Sequence, residues 1–520
     1  MIDLKLNSKN IFIYSIGVIF ALSASVLSLY NIVGSYYTIG NIKITMLASF
    51  FVMFYIFVKT KDTILLYINK NVFPCIFAFA ASLIILFKLV PQKEQCFNDL
   101  LALDFSSKEW IVFSSFSLTY LLIWLYKKAA EFFKEIAGKL DEKDKKLYLY
   151  ISAASAILII ISYTSNSGWY TQFDAVYSID SGYCFRNIFP NALYYDIRHP
   201  FLSVFTFPIY AVISFFAEIF VPENITDVFC AISMQIVNIQ LLLLGGLLIK
   251  ILTKSKLVFI LYIISFSTMS FILFFEKYQL CVFPVILYAY TLRENHKDST
   301  PSLIAASSVM PTSSFCVIME LFSKDKVKDK LKKLIKIICS GILMLICLGR
   351  IHLFTEGINE ITAIKNSYAS QESTISERFI SLTKMLNGSL TALSSTNEGS
   401  YVWTRDFIME SLTLMSVLIT IIIIIGVIHT WKEHFTKLCA VWLLFSVVLF
   451  VGLNWSIHAS PLFSVYFAWA IIPMFKNGID CIMLKCLKLN KKTVYSVLFI
   501  MIFIINTITL LDISSFLKNM

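Results

Sequence analysis

Acidic, basic and imidazole side chains are concentrated in one polar, aromatic-rich stretch, residues 163–208. Asp174 and Asp180 lie there among aromatic residues, in the segment QFDAVYSIDSGY. A carboxylate in such surroundings can act as a general base or bind a divalent metal ion, although it can also simply cap a short helix. Arg198 and His199 follow, and a guanidinium beside a histidine suits the oxygens of a phosphate. These residue types predict a catalytic site with an anion-binding side.

Five further residues are weaker candidates for the same site. Arg186 could join the anion-binding side chains, and Asp196 could orient the basic pair. Arg350 and His352 begin a second polar region and could reach a phosphate, but long basic residues at helix ends also snorkel towards water. His458 lies between two late apolar segments, where an isolated histidine is more often a structural residue than a catalytic one.

The rest of the chain predicts the membrane elements that must position these side chains. It is 520 residues long, 58% hydrophobic and 15% charged, with a mean hydropathy of +0.76. Apolar segments of about 17–25 residues recur along it, and each can cross a bilayer only as a helix. We therefore predict an all-α polytopic integral membrane protein with about 13 transmembrane helices, or about 15 as the alternative.

The difference between these two helix counts depends on two segments. Residues 200–221 either cross the membrane or lie flat in its interface, and residues 302–322 form either one span or a broken, re-entrant pair. We favour the flat interpretation of 200–221, because it places Lys250 and Lys254 on the cytoplasmic side. We favour the broken pair for 302–322, because cytoplasmic-type charge flanks it on both sides.

Lysines beside the apolar segments set the predicted orientation by the positive-inside rule. The N-terminus and the lysine-rich linker 127–146 belong inside, so the loop 164–199 faces outside, and we expect the plasma membrane of a bacterium. The net charge of +11 arises from these lysines, so we expect a lipid bilayer and no nucleic acid as partner. The predicted parts are N-terminal helices in 1–146, a core in 147–349 with the loop 164–199, a second external loop in 350–406, and C-terminal helices in 407–520.

Two motifs in the first loop resemble the signature of the C-type membrane glycosyltransferases, which include protein O-mannosyltransferases and lipid A aminoarabinose transferases. Residues 173–177, Phe-Asp-Ala-Val-Tyr, resemble the acidic motif of that family, and residues 198–202, Arg-His-Pro-Phe-Leu, resemble its His-Pro-Pro-Leu stretch. Ala175 stands where the family has a second acid, and Phe201 stands where it has a second proline. Asp180 could therefore take the place of the missing acid. An interfacial helix after the second motif is also typical of the family.

The resemblance implies transfer of a sugar from a polyprenyl-phosphate-linked donor, with inversion, to an extracytoplasmic glycan, lipid or protein. Asp174 or Asp180 would be the catalytic base. Basic side chains would stabilise the departing lipid phosphate, with or without a divalent cation such as Mg²⁺ or Mn²⁺ held by the same two carboxylates. The side chains expected at the donor phosphate are Arg198, His199, Arg186 and Arg350.

Two other functional classes remain open at this point. A polysaccharide polymerase or ligase with a lipid-linked donor would also use a large external loop and basic residues. A transporter or lipid flippase would normally carry ionisable residues in the middle of its helices and show paired broken helices. The predicted helices are nearly free of charge at their centres, which favours an enzyme acting at the membrane interface.

Overall fold

A computed structural model describes residues 8–29, 38–92, 106–173, 176, 179–192, 194–293, 299–323, 325–354, 356–369, 373–391, 409–455 and 460–519. Within these ranges all regular structure is helical. Nine of the described helices are long and apolar enough to cross a membrane, or ten if a bent pair at 256–273 counts as one span. The prediction of a multi-pass, all-α integral membrane protein is confirmed at this level.

Helices of eight or more residues are numbered in chain order. The first half of the chain contains α1 (Ser8–Leu29), α2 (Ile39–Lys70), α3 (Val72–Leu89), α4 (Ser107–Gly138), α5 (Glu142–Ser165), α6 (Leu202–Phe220), α7 (Thr226–Thr253), α8 (Lys256–Ile264) and α9 (Phe266–Leu273). The second half contains α10 (Tyr278–Arg293), α11 (Thr300–Val309), α12 (Val327–Cys347), α13 (Gly357–Ala369), α14 (Ile375–Gly388), α15 (Met409–His429), α16 (His434–Val447), α17 (Ser460–Ile479) and α18 (Lys491–Asn519). A 3-10 helix, Pro311–Phe322, joins α11 to α12.

The number of candidate spans among the described residues is lower than the predicted 13, because some apolar helices, such as Tyr278–Arg293 and the apolar part of α15, Leu414–His429, have fewer than 18 residues. The apolar segment 257–275 forms α8 and α9, which are bent by 51°. The predicted broken pair at 302–322 forms α11 and the 3-10 helix, with the break at Met310. Met310 is extended because the ring of Pro311 disfavours a helical conformation in the residue before it.

Helix α6 is long and apolar enough to span, yet both of its ends lie at one end of the bundle. Near its start, the Ser203 hydroxyl donates a hydrogen bond to the Tyr194 carbonyl. Near its end, Glu218 pairs at 2.5 Å with Lys88 in the last turn of α3. We call this the loop end, because it carries residues 166–201. The contacts agree with the flat interpretation of 200–221.

The opposite end of the bundle is called the lysine end. Here Lys250, in the last turn of α7, pairs with Asp144 in the first turn of α5. Asp144 follows the lysine-rich linker 127–146 directly, so α7 runs from the loop end to the lysine end. This places Lys250 on the side that the positive-inside rule assigns to the cytoplasm.

The break between α8 and α9 is closed by polar groups from distant parts of the chain. The Phe266 N–H donates to the Leu390 carbonyl at 2.9 Å. Asn506 of α18 donates to the carbonyls of Ile264 and Leu390, at 2.8 and 2.9 Å. Inside a bilayer, unpaired backbone groups cost several kcal/mol each, so an irregular segment at this depth needs such partners.

The second predicted external loop, 350–406, differs from the structure in its middle part. Helix α14 packs against α15 and α17, and one face of it is buried, including Leu382, Met385 and Leu386. The average polarity of this region conceals an amphipathic helix that enters the bundle. Residues 392–406 of the predicted loop lie outside the described residues.

Thiol labelling can test the orientation of α6. In a cysteine-free variant, we expect Arg186→Cys and Glu223→Cys to react with a membrane-impermeant maleimide in intact cells, because both positions are exposed at the loop end. Asp141→Cys, exposed at the lysine end, should react only after permeabilisation. If Glu223→Cys were protected while Arg186→Cys reacted, α6 would cross the membrane.

Candidate functional site

A cavity of about 1330 Å³ reaches the loop end between α11, the 3-10 helix, α12, α16 and α17. Asp180, Arg198, His199, Lys277 and Tyr278 are among its lining residues, and Arg198 and Lys277 are both close enough to His199 to affect its charge. We call the part of the cavity that these five residues line its polar end. The remaining wall is mainly apolar, with lining residues such as Leu303, Ile304, Val317, Ile338, Met344 and Phe467. The cavity can therefore hold a molecule with a charged head and a long apolar part.

The structure brings three of the predicted site residues together. Asp180, Arg198 and His199 all line the polar end of the cavity. Arg186 is exposed to solvent and is not part of the described lining. The predicted base Asp174 and the candidate His458 lie outside the described residues.

Asp180 is fixed by its backbone to a second loop that the sequence motifs did not include. The Asp180 N–H donates a hydrogen bond to Oε1 of Glu276 at 2.7 Å. Oε2 of Glu276 accepts from the Cys184 thiol at 3.3 Å and from the Lys277 N–H at 3.1 Å. Glu276 is only 1% exposed. Its carboxylate thus joins the loop that carries Asp180 to the loop between α9 and α10.

Amide side chains hold the loop between α9 and α10 in place. Gln235 of α7 donates to three carbonyls at the end of α9, at 2.9–3.0 Å, and Gln279 donates to one of them, Phe271. Asn238, one turn after Gln235, donates to the Glu276 carbonyl at 3.3 Å. These carbonyls end a helix and have no partner within it, so amides from α7 and α10 satisfy them.

Lys277 brings a positive charge into the cavity wall. Its side chain is 6% exposed, and the ammonium lies 5.5 Å from the centre of the Tyr278 ring. Among the described residues no carboxylate forms an ion pair with it. Burial alone would lower the pKa of Lys277, but its acidic surroundings, in which Glu276 supplies a carboxylate, raise it above its ordinary value. The ammonium therefore stays protonated at neutral pH and can attract an anion.

Arg198, by contrast, already has a carboxylate partner. Its Nη2 and Nε atoms lie 2.6 and 2.9 Å from Oδ2 of Asp196, and its backbone N–H donates to Oδ1 at 2.8 Å. Burial raises the pKa of the Asp196 carboxyl, but these bonds from Arg198 outweigh burial and hold the pKa below its usual value. Asp196 therefore contacts Arg198 in the way expected of an orienting residue.

His199 is held in its neutral form. Its Nδ1 lies 2.9 Å from the Val309 carbonyl, which can only accept, so Nδ1 carries the hydrogen. Burial, together with the charge of Lys277, lowers the pKa of His199 to about 3. We expected His199 to bind a phosphate with Arg198, but a neutral ring oriented in this way offers only Nε2, an acceptor. It can accept a hydrogen bond from a hydroxyl more readily than it can bind an anion.

The residues around His199 also explain why the segment lies at the cavity. The Phe201 N–H donates to the Ser308 carbonyl at 3.3 Å, next to the Val309 carbonyl that pairs with His199. Both carbonyls lie in the last turn of α11 and lack partners within that helix. The segment therefore caps the C-terminus of α11.

Arg350 and His352 lie behind the cavity wall. The Arg350 guanidinium is 1% exposed and lies 4.6 Å from the Tyr195 ring centre and 5.9 Å from that of Phe201. The Tyr195 hydroxyl contacts Nε2 of His352 at 3.0 Å and donates to Glu360 at 2.9 Å. Burial lowers the pKa of Arg350 to about 10, so it remains charged at neutral pH. Arg350 thus supports Phe201, which lines the cavity, and does not itself line it.

The potential metal-ligating side chains do not form a metal site in the described part of the chain. No three His, Cys, Asp or Glu side chains come together there in a group that could hold a metal ion. Of the two carboxylates predicted to bind one, only Asp180 lies in the described residues, and the neighbouring Glu276 is already used by three donors. We therefore derive no chemical step through a metal.

Glu276 and Lys277 were missed by the sequence analysis. The available signal was a charged pair that interrupts the apolar stretch 257–292. The pair lies between two apolar stretches, 257–275 and 280–292. A turn between two predicted spans nevertheless often carries charges, so the pattern alone did not indicate a site.

Comparisons of the chain with protein-family models, with curated proteins and with solved structures found no match. The resemblance to C-type glycosyltransferases therefore depends on the motifs at 173–177 and 198–202 and on the expected interfacial helix that follows them. Any function must be argued from the geometry of the cavity and its lining residues.

The neutral state of His199 predicts how stability depends on pH. Its folded pKa of about 3 lies below the ordinary 6.5, so the unfolded chain binds more protons at low pH. His199 should therefore contribute its full stabilisation above about pH 6.5 and lose it progressively as the pH falls. Thermal unfolding of the detergent-solubilised protein measures this. His199→Asn should unfold at a lower temperature than the wild type at neutral pH, and its unfolding temperature should fall less on acidification. If the pH dependence of the unfolding temperature were unchanged in this variant, His199 would not be the buried neutral histidine described above.

Proposed function

We propose that this protein is a membrane glycosyltransferase that takes a sugar from a polyprenyl-phosphate-linked donor and transfers it to an extracytoplasmic acceptor. One observation carries the proposal. A single cavity is lined by the carboxylate of Asp180 and the buried ammonium of Lys277, and elsewhere mainly by apolar side chains. Its volume of about 1330 Å³ exceeds the roughly 300–1,000 Å³ of ordinary small-molecule pockets. A lipid-linked sugar has the matching distribution of polar and apolar groups.

The donor phosphate would bind at Lys277, with the guanidinium of Arg198 beside the same space. The prenyl chain would lie along the wall formed by α11 and α12. Ile338 of α12 lines the cavity and is 60% exposed, and apart from the neighbouring residues of α12 itself no atom lies within 4 Å of where a Cβ on Gly341 would be. Helix α12 is thus apolar on the cavity side and accessible from outside the bundle, which would let a lipid chain enter from the bilayer.

The reaction uses the polar end of the cavity. The acceptor hydroxyl forms a bond to the anomeric carbon as the bond from that carbon to the phosphate oxygen breaks. The electron pair leaves with the polyprenyl phosphate, and Lys277 and Arg198 stabilise the added negative charge. The hydroxyl proton passes to the carboxylate of Asp180, or to that of Asp174. Nε2 of His199 is available to accept a hydrogen bond from a sugar or acceptor hydroxyl.

The position of the charged groups favours an enzyme over a transporter. In the described part of the chain, the charged and imidazole side chains that line the cavity, Asp180, Arg198, His199 and Lys277, all lie in loops and not within helices. A transporter would normally carry ionisable residues in the middle of its helices, whereas the helices around this cavity contribute mainly apolar side chains to its wall. A polymerase or ligase with a lipid-linked donor would use the same polar end, and the acceptor that is consumed distinguishes it from a transferase.

Substitutions at Asp180 and Lys277 should impair different steps. Asp180→Asn removes a proton acceptor, so we expect turnover to fall by a factor of about 10² or more with little change in donor binding. Lys277→Met removes the charge that attracts the phosphate, so we expect the KM for the donor to rise by a factor of about ten or more. The assay follows release of polyprenyl phosphate from a panel of lipid-linked sugars, and polyprenyl phosphate binding is measured separately.

Matched substitutions outside the cavity provide the controls. Lys108→Met and Asp227→Asn remove the same charges from exposed positions at the starts of α4 and α7. Both should leave turnover and donor binding near those of the parent protein. If the wild-type protein neither consumed any lipid-linked sugar nor bound polyprenyl phosphate, the proposed function would be wrong.

A further inference from the structure

Glu276 has an unusual set of contacts for a buried carboxylate. Its Oε1 accepts from the backbone of Asp180, and its Oε2 accepts from the backbone of Lys277 and from the thiol of Cys184. Asp180 and Cys184 belong to the loop after α5, whereas Lys277 belongs to the loop between α9 and α10. One side chain therefore fixes the main chain at two residues that line the polar end of the cavity from different loops.

The surroundings of Glu276 are otherwise apolar. The neighbouring residue Phe275 packs edge-on against Phe185 and at 4.8 Å against Phe189. A carboxylate that is 1% exposed in such a place has lost its hydration, and this loss is tolerated only if donors and cations replace it. The two backbone N–H groups, the thiol and the adjacent ammonium supply that replacement. An uncharged residue could fill the space, so the charge itself requires an explanation.

We infer that Glu276 is a positioning residue for the transfer reaction, whose carboxylate holds Asp180 and Lys277 at a fixed separation across the polar end of the cavity. The inference rests on the proposed function, in which Asp180 accepts a proton while Lys277 binds the phosphate. These two events take place on opposite sides of the anomeric carbon. Misplacement of a reacting group by about 1 Å can cost a factor of about 10² in rate, so the tether has a direct kinetic role.

Glu276 also contributes the charge that Lys277 needs. The groups that face Lys277 include Cys184 and Tyr194 from the loop after α5, Tyr278 and Cys281 from α10, His199 from the segment before α6, and Glu276. The thiols and the phenols are neutral at neutral pH, and His199 is neutral because Nδ1 donates to Val309. Both oxygens of the Glu276 carboxylate accept hydrogen bonds from backbone N–H groups, which stabilise a negative charge beside Lys277. Removing this charge should make it easier for Lys277 to lose its proton.

Two substitutions separate the tether from the charge. Glu276→Gln has almost the same shape but no charge, and we expect kcat to fall by a factor of about ten or more and the alkaline limb of the pH–rate profile to move to lower pH. Glu276→Asp keeps the charge but is one methylene shorter, so kcat should fall while the alkaline limb stays in place. Both profiles are measured with the full-length protein and the lipid-linked sugar that the wild type consumes.

The outcomes distinguish this inference from the proposed function. If the wild type consumes a lipid-linked sugar and Glu276→Gln keeps its kcat and its alkaline limb, the inference is overturned while the proposed function stands. A loss of activity in both variants with no movement of the alkaline limb in Glu276→Gln would indicate a merely structural role and would also overturn it. If Glu276→Gln does not fold, Glu276→Asp decides, because a wild-type kcat in that variant contradicts the tether.

Discussion

The charge of Lys277 in an apolar bundle is the constraint on which the rest of the site depends. An ammonium that is nearly removed from water is stable only where the protein replaces its hydration. Glu276 lies next to it in the chain, and the Tyr278 ring lies beside it. Gln235 and Asn238 of α7 fix the loop that carries both charged residues. Residues behind the cavity wall thus stabilise the ammonium, whereas its cavity side remains available for an anion.

The same requirement, that buried polar groups find partners, explains the irregular helices around the cavity. The end of α9 is satisfied by amides from α7 and α10, and the end of α11 by the segment that contains His199. The break before α9 is closed by Asn506 and by Leu390, which lies two residues beyond the end of α14. A membrane interior tolerates such breaks only where the protein itself supplies the hydrogen bonds. Each break therefore marks a place where distant parts of the chain are joined.

The sequence was sufficient to predict some of this arrangement. Composition alone indicated a polytopic helical membrane protein. The aromatic and acidic character of the loop 164–199 indicated that Asp180, Arg198 and His199 lie near one another. These predictions succeed because they depend on local composition and on residues that are close in the chain.

The remaining features depend on contacts between distant residues, which local patterns do not encode. The neutral form of His199 follows from the Val309 carbonyl, and the location of Arg350 behind the wall follows from its contact with Tyr195. The role of Glu276 becomes visible only when the Asp180 backbone is found against it. The insertion of α14 into the bundle was concealed because its polar face and flanking residues dominate the average of the region 350–406.

The central claim is that the cavity holds a lipid-linked phosphate, with its prenyl chain against α11 and α12. A polyprenyl phosphate that carries a diazirine on its chain tests this directly, because irradiation attaches it to whatever residues it touches. The account predicts adducts on the peptides that contain Ile304, Ile338 and Met344, and competition by unlabelled polyprenyl phosphate should remove them. Adducts spread over exposed outer positions such as Phe12 and Phe77, and unaffected by the competitor, would contradict it.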